Sequence, residues 1–478
     1  MSEYIYRFRS IEKIIEFQEL EKQEIYFSDP KDLNDPLEGF RDIYWQGDQT
    51  LWKNLFKNYL LCLQDLYLMI RIGGEDHLVT DESIHVFSTF DRLPTPIYQD
   101  KIKSIFDDFF SNEKIITLIE GISQRDSIRR TELIFYLESI HLYCLQLIKN
   151  HDDTVESKGE FDTEMDNLLG KNPLFNMDFF NLLKKAKEEH NKLENLEDVI
   201  FEVIQHTASQ TKLISSLNNL EKMENNKKFY LFDFPSKYVK QLEKLMFWPW
   251  YTACFSKNPK DPSMWGYYAN GHKGICLKFK STEKNKIKGI NLNTVTGYGG
   301  NKNETRKHYG ERFFELHDIN YNSKVKPIGF FRSIGRLPYP DLINQWYSNE
   351  NKELSPLVQD IIQGQDSWRE AYWKRFYNDI PLKMKEWSHE EETRLVHTSI
   401  LNDTVEEKDR LLKYNFNDLD GIIFGLNTSD EDKIRIINIV HDKCMEYDSL
   451  DFNFYQANYD VKTSQITISP LSLIKFTK

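Results

Sequence analysis

Alternating hydrophobic and polar positions predict a strand–helix–strand unit at the start of the chain. Residues 4–9 alternate with the period of a strand, so that Arg7 and Arg9 share one face. Ser10 precedes isoleucines at helical spacing and is placed to cap a short helix. A second strand is predicted over residues 24–28.

A different pattern begins near Tyr44 and continues to Met246. Apolar residues recur there at spacings of three and four, as in Leu133, Tyr136 and Ile140, and charged runs separate them. This periodicity predicts several antiparallel helices. We therefore expect an all-helical insertion over residues 46–246.

Strand and helix patterns mix again from about residue 250. The predicted strands lie near 251–256, 274–280, 316–322, 391–398, 420–425, 453–459 and 464–469, and the predicted helices near 304–314, 366–380 and 430–446. We expect residues 1–45 and 247–478 to form one discontinuous α/β core. The predicted fold is α+β, with a mixed or antiparallel sheet that the helical insertion interrupts.

Composition narrows the class of protein. The chain has 478 residues, of which 40% are hydrophobic, enough for the cores of two lobes. Its net charge of −13 argues against a general nucleic-acid coat. The five cysteines are isolated and odd in number, which indicates reduced thiols and neither a disulfide framework nor a zinc site. The most apolar helical segment, near residues 58–72, is too short to span a bilayer, so we expect a soluble cytoplasmic protein with no membrane partner.

The first strand carries two arginines that are candidates for anion binding. Arg7 and Arg9 suit a phosphate or a carboxylate, because a guanidinium group forms paired hydrogen bonds to such oxygens. The alternative is an edge strand whose arginines are solvated.

The densest side-chain chemistry lies in residues 254–279. Asp261 is placed to cap a short helix, and Gly271 is placed to end it. The candidate ligand-binding side chains of this block are Ser256, Trp265, Tyr268 and His272. Near one edge of a sheet they would let a planar ligand stack. The alternative is that the two aromatic side chains are core residues, since aromatics three apart on a helix usually pack inward.

The loop from Asp29 to Glu38 is acidic, but its spacing lacks the ligand pattern of an EF-hand. Asp29 and Asp35 each precede a proline, which indicates turns. We expect the loop to frame a pocket and expect no metal ion. The chain also lacks the motifs of serine hydrolases, P-loop proteins and zinc proteases.

A second acidic segment begins at Glu390. If residues 390–397 are extended, Glu390, Glu392 and Arg394 share one face. A carboxylate pair beside an arginine can hold one acid in a defined state while the other binds sugar hydroxyls. The alternative is a solvated face with an ion pair. A carboxylate pair aimed into an aromatic pocket would favour the first interpretation.

Five motifs occur in an order that resembles a bacterial family, the domain-of-unknown-function family numbered twenty-nine seventy-one. They are Y-R-F-R-S, F-S-D-P-x-D-x-N-D-P-x-E, C-F-S, M-W-x-Y-Y-A-x-x-H-x-G-I-C and E-x-E-x-R. The resemblance covers residues 4–38 and about 251–470 and leaves out the helical insertion. More distantly, the layout is similar to ADP-ribosyltransferases, which place an Arg or His on the first core strand, a Ser or Tyr in the middle and a Glu on a late strand.

The second resemblance implies an enzyme that uses NAD as its substrate and needs no metal. The implied NAD-binding residues are Arg7, Arg9, Ser256, Trp265, Tyr268 and His272. Glu392 would bind the 2′-hydroxyl of the nicotinamide ribose, and Glu390 would position or activate the acceptor. Arg7, or else Arg9, would contact the phosphates or the ribose of NAD. A carboxylate at this place stabilises the oxocarbenium character that develops when the N-glycosidic bond breaks.

The implied activity is cleavage of the nicotinamide N-glycosidic bond and transfer of ADP-ribose to a protein, a nucleic acid, a small molecule or water. Such an activity would suit a bacterial toxin or a phage-defence effector, with a regulatory or neutralising partner bound to the insertion. One alternative is a non-enzymatic sensor of a nucleotide or protein that acts through the insertion. Another is a nuclease with a divalent ion between the acidic loop and the Glu390–Glu392 pair, against which the ligand spacing argues.

Overall fold

The computed structural model describes two compact units. The described residues are 4–74, 76–152, 185, 196–217, 225–301, 304–322, 324–399, 404 and 406–476. The sheet unit comprises Met1–Phe40, Trp248–Val325 and Arg375–Lys478, and the helical unit comprises Arg41–Phe247 and Lys326–Lys374. Residues 326–374, predicted as part of the α/β core, thus group with the helical unit.

The sheet unit is built on one large mixed sheet. Its strands are β1 (Tyr4–Arg9), β2 (Glu24–Tyr26), β3 (Trp250–Ser256), β4 (Ile275–Lys280), β5 (Thr282–Lys284), β6 (Ile287–Asn301), β7 (Glu304–Asp318), β8 (Glu392–Thr398), β9 (Leu411–Tyr414), β10 (Leu419–Phe424), β11 (Asn453–Asp460) and β12 (Gln465–Pro470). Its helices are α1 (Ile11–Phe17), α2 (Glu19–Lys22), α3 (Pro262–Tyr267) and α4 (Asp430–Glu446), with 3-10 turns at Pro30–Asp32, Lys385–Glu390, Glu407–Arg410 and Phe416–Asp418.

The strand order is β12-β11-β10-β4-β1-β3-β8-β7-β6-β9-β2, and β5 pairs with β6. Within this sheet the described strand pairs are antiparallel except β10–β11, which is parallel and is joined through α4. The sheet curls, because Ser28, just beyond β2, exchanges backbone hydrogen bonds of 2.8 and 2.9 Å with Thr252 on β3. In this strand order β1, the first strand of the chain, lies in the middle of the sheet, between β4 and β3.

Both faces of the sheet around β4 are covered. Ile5, Leu277 and Phe279 belong to the larger core on one face. On the other face Phe8 and Cys276 pack in a smaller core with residues of α3. Cys276 is fully buried for this reason, although the alternation along β4 placed it opposite the main core.

Several local predictions are confirmed. The Ser10 hydroxyl accepts from Lys13 N at the start of α1, and Asp261 caps α3. Gly271 has φ +63°, but it lies in the turn after α3, four residues beyond the last helical residue Tyr267, so it does not end the helix as predicted. The helix predicted over 430–446 is α4.

The helix predicted over residues 304–314 is wrong. These residues form part of β7, which pairs with β6 in a long antiparallel hairpin. Among residues 306–318 of β7 only Phe314 is buried, whereas β6 contributes the buried residues Ile290, Leu292 and Thr294 to this pair. A strand whose residues are mostly exposed to solvent does not show the alternation of apolar and polar residues by which a strand is recognised in a sequence.

The helical unit is mostly helical, and the described part of the predicted insertion, residues 46–246, contains one short strand, Ile128–Arg129. Its α-helices are Gln49–Gly73, Pro96–Ser111, Glu113–Ser123, Arg130–Asn150, Leu196–Leu217, Asn225–Lys228, Phe234–Leu242, Tyr339–Asp341 and Gln359–Gln363. Helix Gln365–Asp379 follows, and π-helical turns lie at Phe229–Asp233 and Leu342–Tyr347. The 3-10 turns are Asp81–Ser83, Phe90–Arg92, Glu243–Leu245, Phe331–Ser333 and Pro356–Val358. A small sheet has the order Ile328–Gly329, Ile43–Trp45, Ile128–Arg129.

Of the predicted insertion, residues 153–184, 186–195 and 218–224 lie outside the described residues. The long helix Gln49–Gly73 is the buried centre of the rest, with Leu55, Tyr59 and Leu63 fully inaccessible. Over the described part of the chain, no helix combines the length and the apolar character that crossing a membrane requires.

Candidate functional site

The sheet unit contains a cavity of about 260 Å³ where β1, β3 and the start of β8 meet the acidic loop. Its lining includes Arg7, Arg9, Asn34, Glu38, Cys254, Ser256, Tyr268, Lys383, Glu390 and Glu392. The cavity therefore joins all four segments that the sequence singled out: the first strand, the acidic loop, the block around Tyr268 and the segment that begins at Glu390. Segments far apart in the chain meet here because β1, β3 and β8 are adjacent in the sheet.

A buried lysine lies between three carboxylates at the base of this cavity. Lys383 Nζ is 2.5 Å from a carboxylate oxygen of Glu390, 2.8 Å from Glu392 and 3.2 Å from Glu38. The side chains of all four are at most 4% exposed. Burial alone would lower the pKa of Lys383, but the three carboxylates outweigh burial and raise it, so Lys383 stays charged.

Arg394 is the second cation of the cluster. Its Nε donates to Glu392 Oε1 at 2.5 Å, and its Nη2 lies 2.8 Å from Glu38 Oε2. Burial alone would raise the pKa of Glu392, but Arg394 and Lys383 outweigh it and lower that pKa to about 2. Glu392 is therefore an ionised carboxylate throughout the physiological range.

Glu38 behaves in the opposite way. Burial raises its pKa to about 7, although Arg394 and Lys383 pull it down, and Glu392 adds to the rise. The cluster holds three acidic side chains and two cations, so it carries one excess negative charge when all are ionised. Glu38 is the acid that takes up a proton near neutral pH and balances the charges.

The backbone around Glu391 directs both neighbouring glutamates to Lys383. Residues 385–390 form a 3-10 turn, Glu391 adopts a left-handed conformation with φ +43°, and β8 starts at Glu392. Residues 390 and 391 are thus not extended, contrary to the prediction for 390–397. The side chains of Glu390 and Glu392 nevertheless lie on the same side, as predicted, and both accept hydrogen bonds from one ammonium group.

The acidic loop is attached to the same cluster. Asp35 is buried, its Oδ1 accepts from Leu37 N at 2.9 Å, and its Oδ2 accepts from Met384 N at 2.7 Å. This bond fixes the residue next to Lys383 while the loop supplies Glu38. Asp35 therefore has a positioning role in the structure.

Tyr268 closes one side of the cavity. Its hydroxyl donates to Glu390 Oε1 at 2.8 Å and accepts from Asn34 Nδ2 at 2.8 Å. Burial, and then the Glu390 carboxylate, raise the pKa of Tyr268, so it remains a neutral phenol. The ring thus connects the central block to the carboxylate cluster.

The two arginines of β1 differ in their surroundings. Arg9 forms a two-point ion pair with Glu19, with Nε to Oε2 at 2.9 Å. Arg7 donates from Nη2 to Tyr26 O at 3.2 Å and lies 5.7 Å from the Phe255 ring, while no described residue accepts a hydrogen bond from its Nη1. Burial lowers the pKa of Arg7 to about 10, so it is still a cation at neutral pH. Arg7 is the guanidinium with a donor left for a ligand.

Three candidate ligand-binding residues have other roles. Trp265 is fully buried against Phe8, with ring centroids 5.0 Å apart, and its indole N–H donates to Pro259 O, so it is a core residue and not a stacking surface. Ser256 lines the cavity, but its hydroxyl is bonded to the backbone of Asn258. His272 lies in the turn after α3, outside the cavity lining, with φ +67°.

Lys383 was not among the site residues predicted from the sequence. It lies in the segment Leu382–Met384, which has no recognisable motif or periodicity. Cys254 also lines the cavity. Its burial, and to a smaller extent the nearby Glu392 carboxylate, raise the pKa of its thiol far above the usual value, so Cys254 is not a reactive thiolate. Among the described residues, no group of three His, Cys, Asp or Glu side chains is arranged to hold a metal ion, and the cation between the carboxylates is Lys383.

The chain was compared with protein-family models, curated proteins and solved structures. None of them matches it. The functional interpretation therefore depends on the geometry of the cavity.

Proposed function

We propose that the cavity binds NAD and that the protein cleaves its nicotinamide N-glycosidic bond, passing ADP-ribose to a macromolecule or to water. The observation that carries this proposal is the convergence of Arg7, Tyr268 and the Glu390–Glu392 pair on one concave surface. These are the residue types, on an early strand, a middle segment and a late strand, that the distant resemblance to ADP-ribosyltransferases implies.

Size and charge are compatible with part of a dinucleotide. At about 260 Å³ the cavity is slightly smaller than the roughly 300–1,000 Å³ of typical small-molecule sites. The nicotinamide ribose would occupy it, and the rest of NAD would extend outwards past the lining residues. Arg7 offers its unpaired donor to a phosphate oxygen.

The proposed reaction separates the roles of the two glutamates. As the bond from ribose C1′ to nicotinamide breaks, nicotinamide leaves with the electron pair and positive charge develops on the ribose. The ionised Glu392 stabilises that charge and accepts a hydrogen bond from the 2′-hydroxyl. The acceptor then forms its bond to C1′ and loses a proton, for which Glu390 is the base within the cavity.

A second candidate function is recognition of a nucleotide without turnover. The specific observation in its favour is that both oxygens of Glu392 already accept hydrogen bonds from Arg394, and one also from Lys383. A carboxylate engaged in this way is rigid, and its charge is largely balanced. In this case the pocket would act as a sensor, and the helical unit would carry the response.

The decisive experiment measures nicotinamide release and label transfer from NAD, with cell lysate as the acceptor pool. The variants are Glu392→Gln and its neighbour Glu391→Gln. Glu391 is exposed, and among the described residues its carboxylate accepts a hydrogen bond only from Asn258, so it is the matched control. We expect turnover by the wild type and Glu391→Gln and a loss of at least about a hundredfold in Glu392→Gln.

Stability must be measured on the same samples, because Glu392 also holds the ion cluster. Tyr268→Phe is the second test, since it removes one hydroxyl and leaves the Glu392 ion pairs intact. A folded wild type that binds NAD but releases no nicotinamide would favour the sensor. A folded wild type that neither binds nor cleaves NAD would refute both.

A further inference from the structure

The helical unit contains a second, larger cavity that the proposed function does not use. It has a volume of about 680 Å³ and lies between helix Gln49–Gly73, residues 82–94 and the end of helix Phe234–Leu242. Its walls are mainly apolar and include Leu68, Ile84, Val86, Phe87, Leu93 and Tyr98. This size and lining fall within the range of small-molecule binding sites.

One carboxylate in this apolar cavity has no cationic partner. Asp65 lines it, and among the described residues its carboxylate accepts one hydrogen bond, from the Ser88 hydroxyl at 3.1 Å. Among the described residues, no lysine, arginine or histidine lies within ion-pair distance of Asp65. Burial raises the pKa of Asp65, and the Ser88 hydroxyl and His85 offset this only in part. A carboxylate removed from water without a cation is costly, unless a ligand supplies the positive charge.

A second acceptor lines the same cavity. Gln241 is 3% exposed and lines the cavity, and its Oε1 accepts no hydrogen bond from any described residue. The hydroxyl of Thr89, 4% exposed, likewise has no partner in the described part of the chain. Buried polar atoms usually have partners, so two such atoms lining one cavity point to a ligand with hydrogen-bond donors.

The other charges on the cavity wall are engaged elsewhere. Lys244 pairs with Glu82, and Arg92 pairs with Asp341 at 2.5 Å. His85 is exposed. Lys244 and Arg92 therefore have carboxylate partners of their own, and neither neutralises the negative charge of Asp65, which is left for a ligand.

We propose that this cavity binds a small organic cation, an amine with an apolar or aromatic body. Its ammonium group pairs with Asp65 and donates to Gln241 Oε1, while its apolar part contacts the leucine, isoleucine and valine side chains. The Tyr98 ring adds a favourable surface for a cation, whereas the Phe87 ring already has the Arg336 guanidinium 5.0 Å from its centroid. An organic anion would meet the Asp65 carboxylate, and a metal ion would find a single carboxylate without a cationic partner, because Glu82 pairs with Lys244.

The test compares three probes of similar shape and different charge by calorimetric titration of the full chain. They are phenethylammonium, the neutral phenethyl alcohol and the anionic hydrocinnamate. We expect saturable binding of phenethylammonium, at least about tenfold weaker binding of the alcohol and none of the anion. Equal binding of alcohol and ammonium, or no binding of the ammonium, would overturn the proposal.

Two variants assign the site. Asp65→Asn should weaken phenethylammonium binding by at least about tenfold, and Gln241→Leu should weaken it less. Asp91→Asn is the matched control, because Asp91 is an exposed carboxylate outside the cavity lining. Circular dichroism verifies that each variant is folded. If a folded Asp65→Asn protein binds phenethylammonium as tightly as the wild type, Asp65 is not the partner of the ligand and the proposal fails.

Discussion

Replacing Glu392 with glutamine removes the charge that Arg394 and Lys383 share. We predict that Glu392→Gln lowers the free energy of unfolding at neutral pH by about 3 kcal/mol. The value follows from the pKa, which is about 2 in the folded protein against an ordinary 4.5. Each pH unit of that difference corresponds to about 1.36 kcal/mol, so the ionised form stabilises the fold by roughly 3 kcal/mol. The side chain is 3% exposed, so solvent screening reduces this value little.

The stabilisation by Glu392 should depend on pH in a defined direction. Because the folded pKa lies below the unfolded one, the stabilisation is complete above pH 4.5 and is lost as the pH falls towards about 2. The difference between wild type and Glu392→Gln should therefore shrink to less than half by about pH 3. Glutamine keeps the size of the side chain, so packing changes little.

The assay is urea unfolding of both proteins over this pH range, followed by circular dichroism. Glu391→Gln is the matched control, an exposed glutamate next in the chain, and should change stability by less than about 0.5 kcal/mol. A difference between wild type and Glu392→Gln that stays constant with pH would refute the reasoning, as would an equal loss in the control.

Three further predictions concern the same unit. Glu38→Gln should remove a pH-dependent loss of stability. The pKa of Glu38 is about 7 in the folded protein against an ordinary 4.5, so the wild type loses stability as the pH rises from 4.5 to 7. Measured by urea unfolding, the free energy of unfolding of the wild type should fall by about 3 kcal/mol relative to the variant over this range. A constant difference would show that Glu38 does not titrate there. Lys383→Met should destabilise by about 3–5 kcal/mol at neutral pH, because three buried carboxylates lose their shared cation. Adding Glu390→Gln should recover part of that loss, and no recovery would argue against the shared cation. Trp265→Ala should cost about 3–5 kcal/mol in thermal or urea unfolding. Tyr267→Ala, which truncates a 71% exposed neighbour, should cost far less, and equal losses would contradict the buried position of Trp265.

Local signals in the sequence were sufficient for elements whose apolar side chains face a core. Helix α4 and strand β10 were predicted because their apolar positions follow the period of the element. The β6–β7 hairpin was missed since few of its described residues are buried, and its stability comes from pairing between the two strands. The small sheet of the helical unit was missed because its strands have two or three residues each.

The candidate site was recognisable only in part. Arg7, Tyr268 and the Glu390–Glu392 pair stood out because their residue types and spacing suggest a chemistry. The role of Lys383 depends on three carboxylates from two distant segments, and no local pattern encodes such a meeting. The sequence allowed Trp265 to be either a ligand-stacking residue or a core residue. In the structure it belongs to the smaller core on the other face of the sheet.

The central position of β1 has a consequence for how the protein is made. This strand pairs with β3 and β4, which follow it only after the entire Arg41–Phe247 segment. On the ribosome, residues 4–9 emerge long before either partner strand exists, and the sheet must close over a large sequence separation. Folding of this kind is slow and leaves strand edges exposed to other chains. The yield of folded protein should therefore depend strongly on chaperones and temperature. The late pairing of β1 with β3 and β4 is the step that would limit this yield.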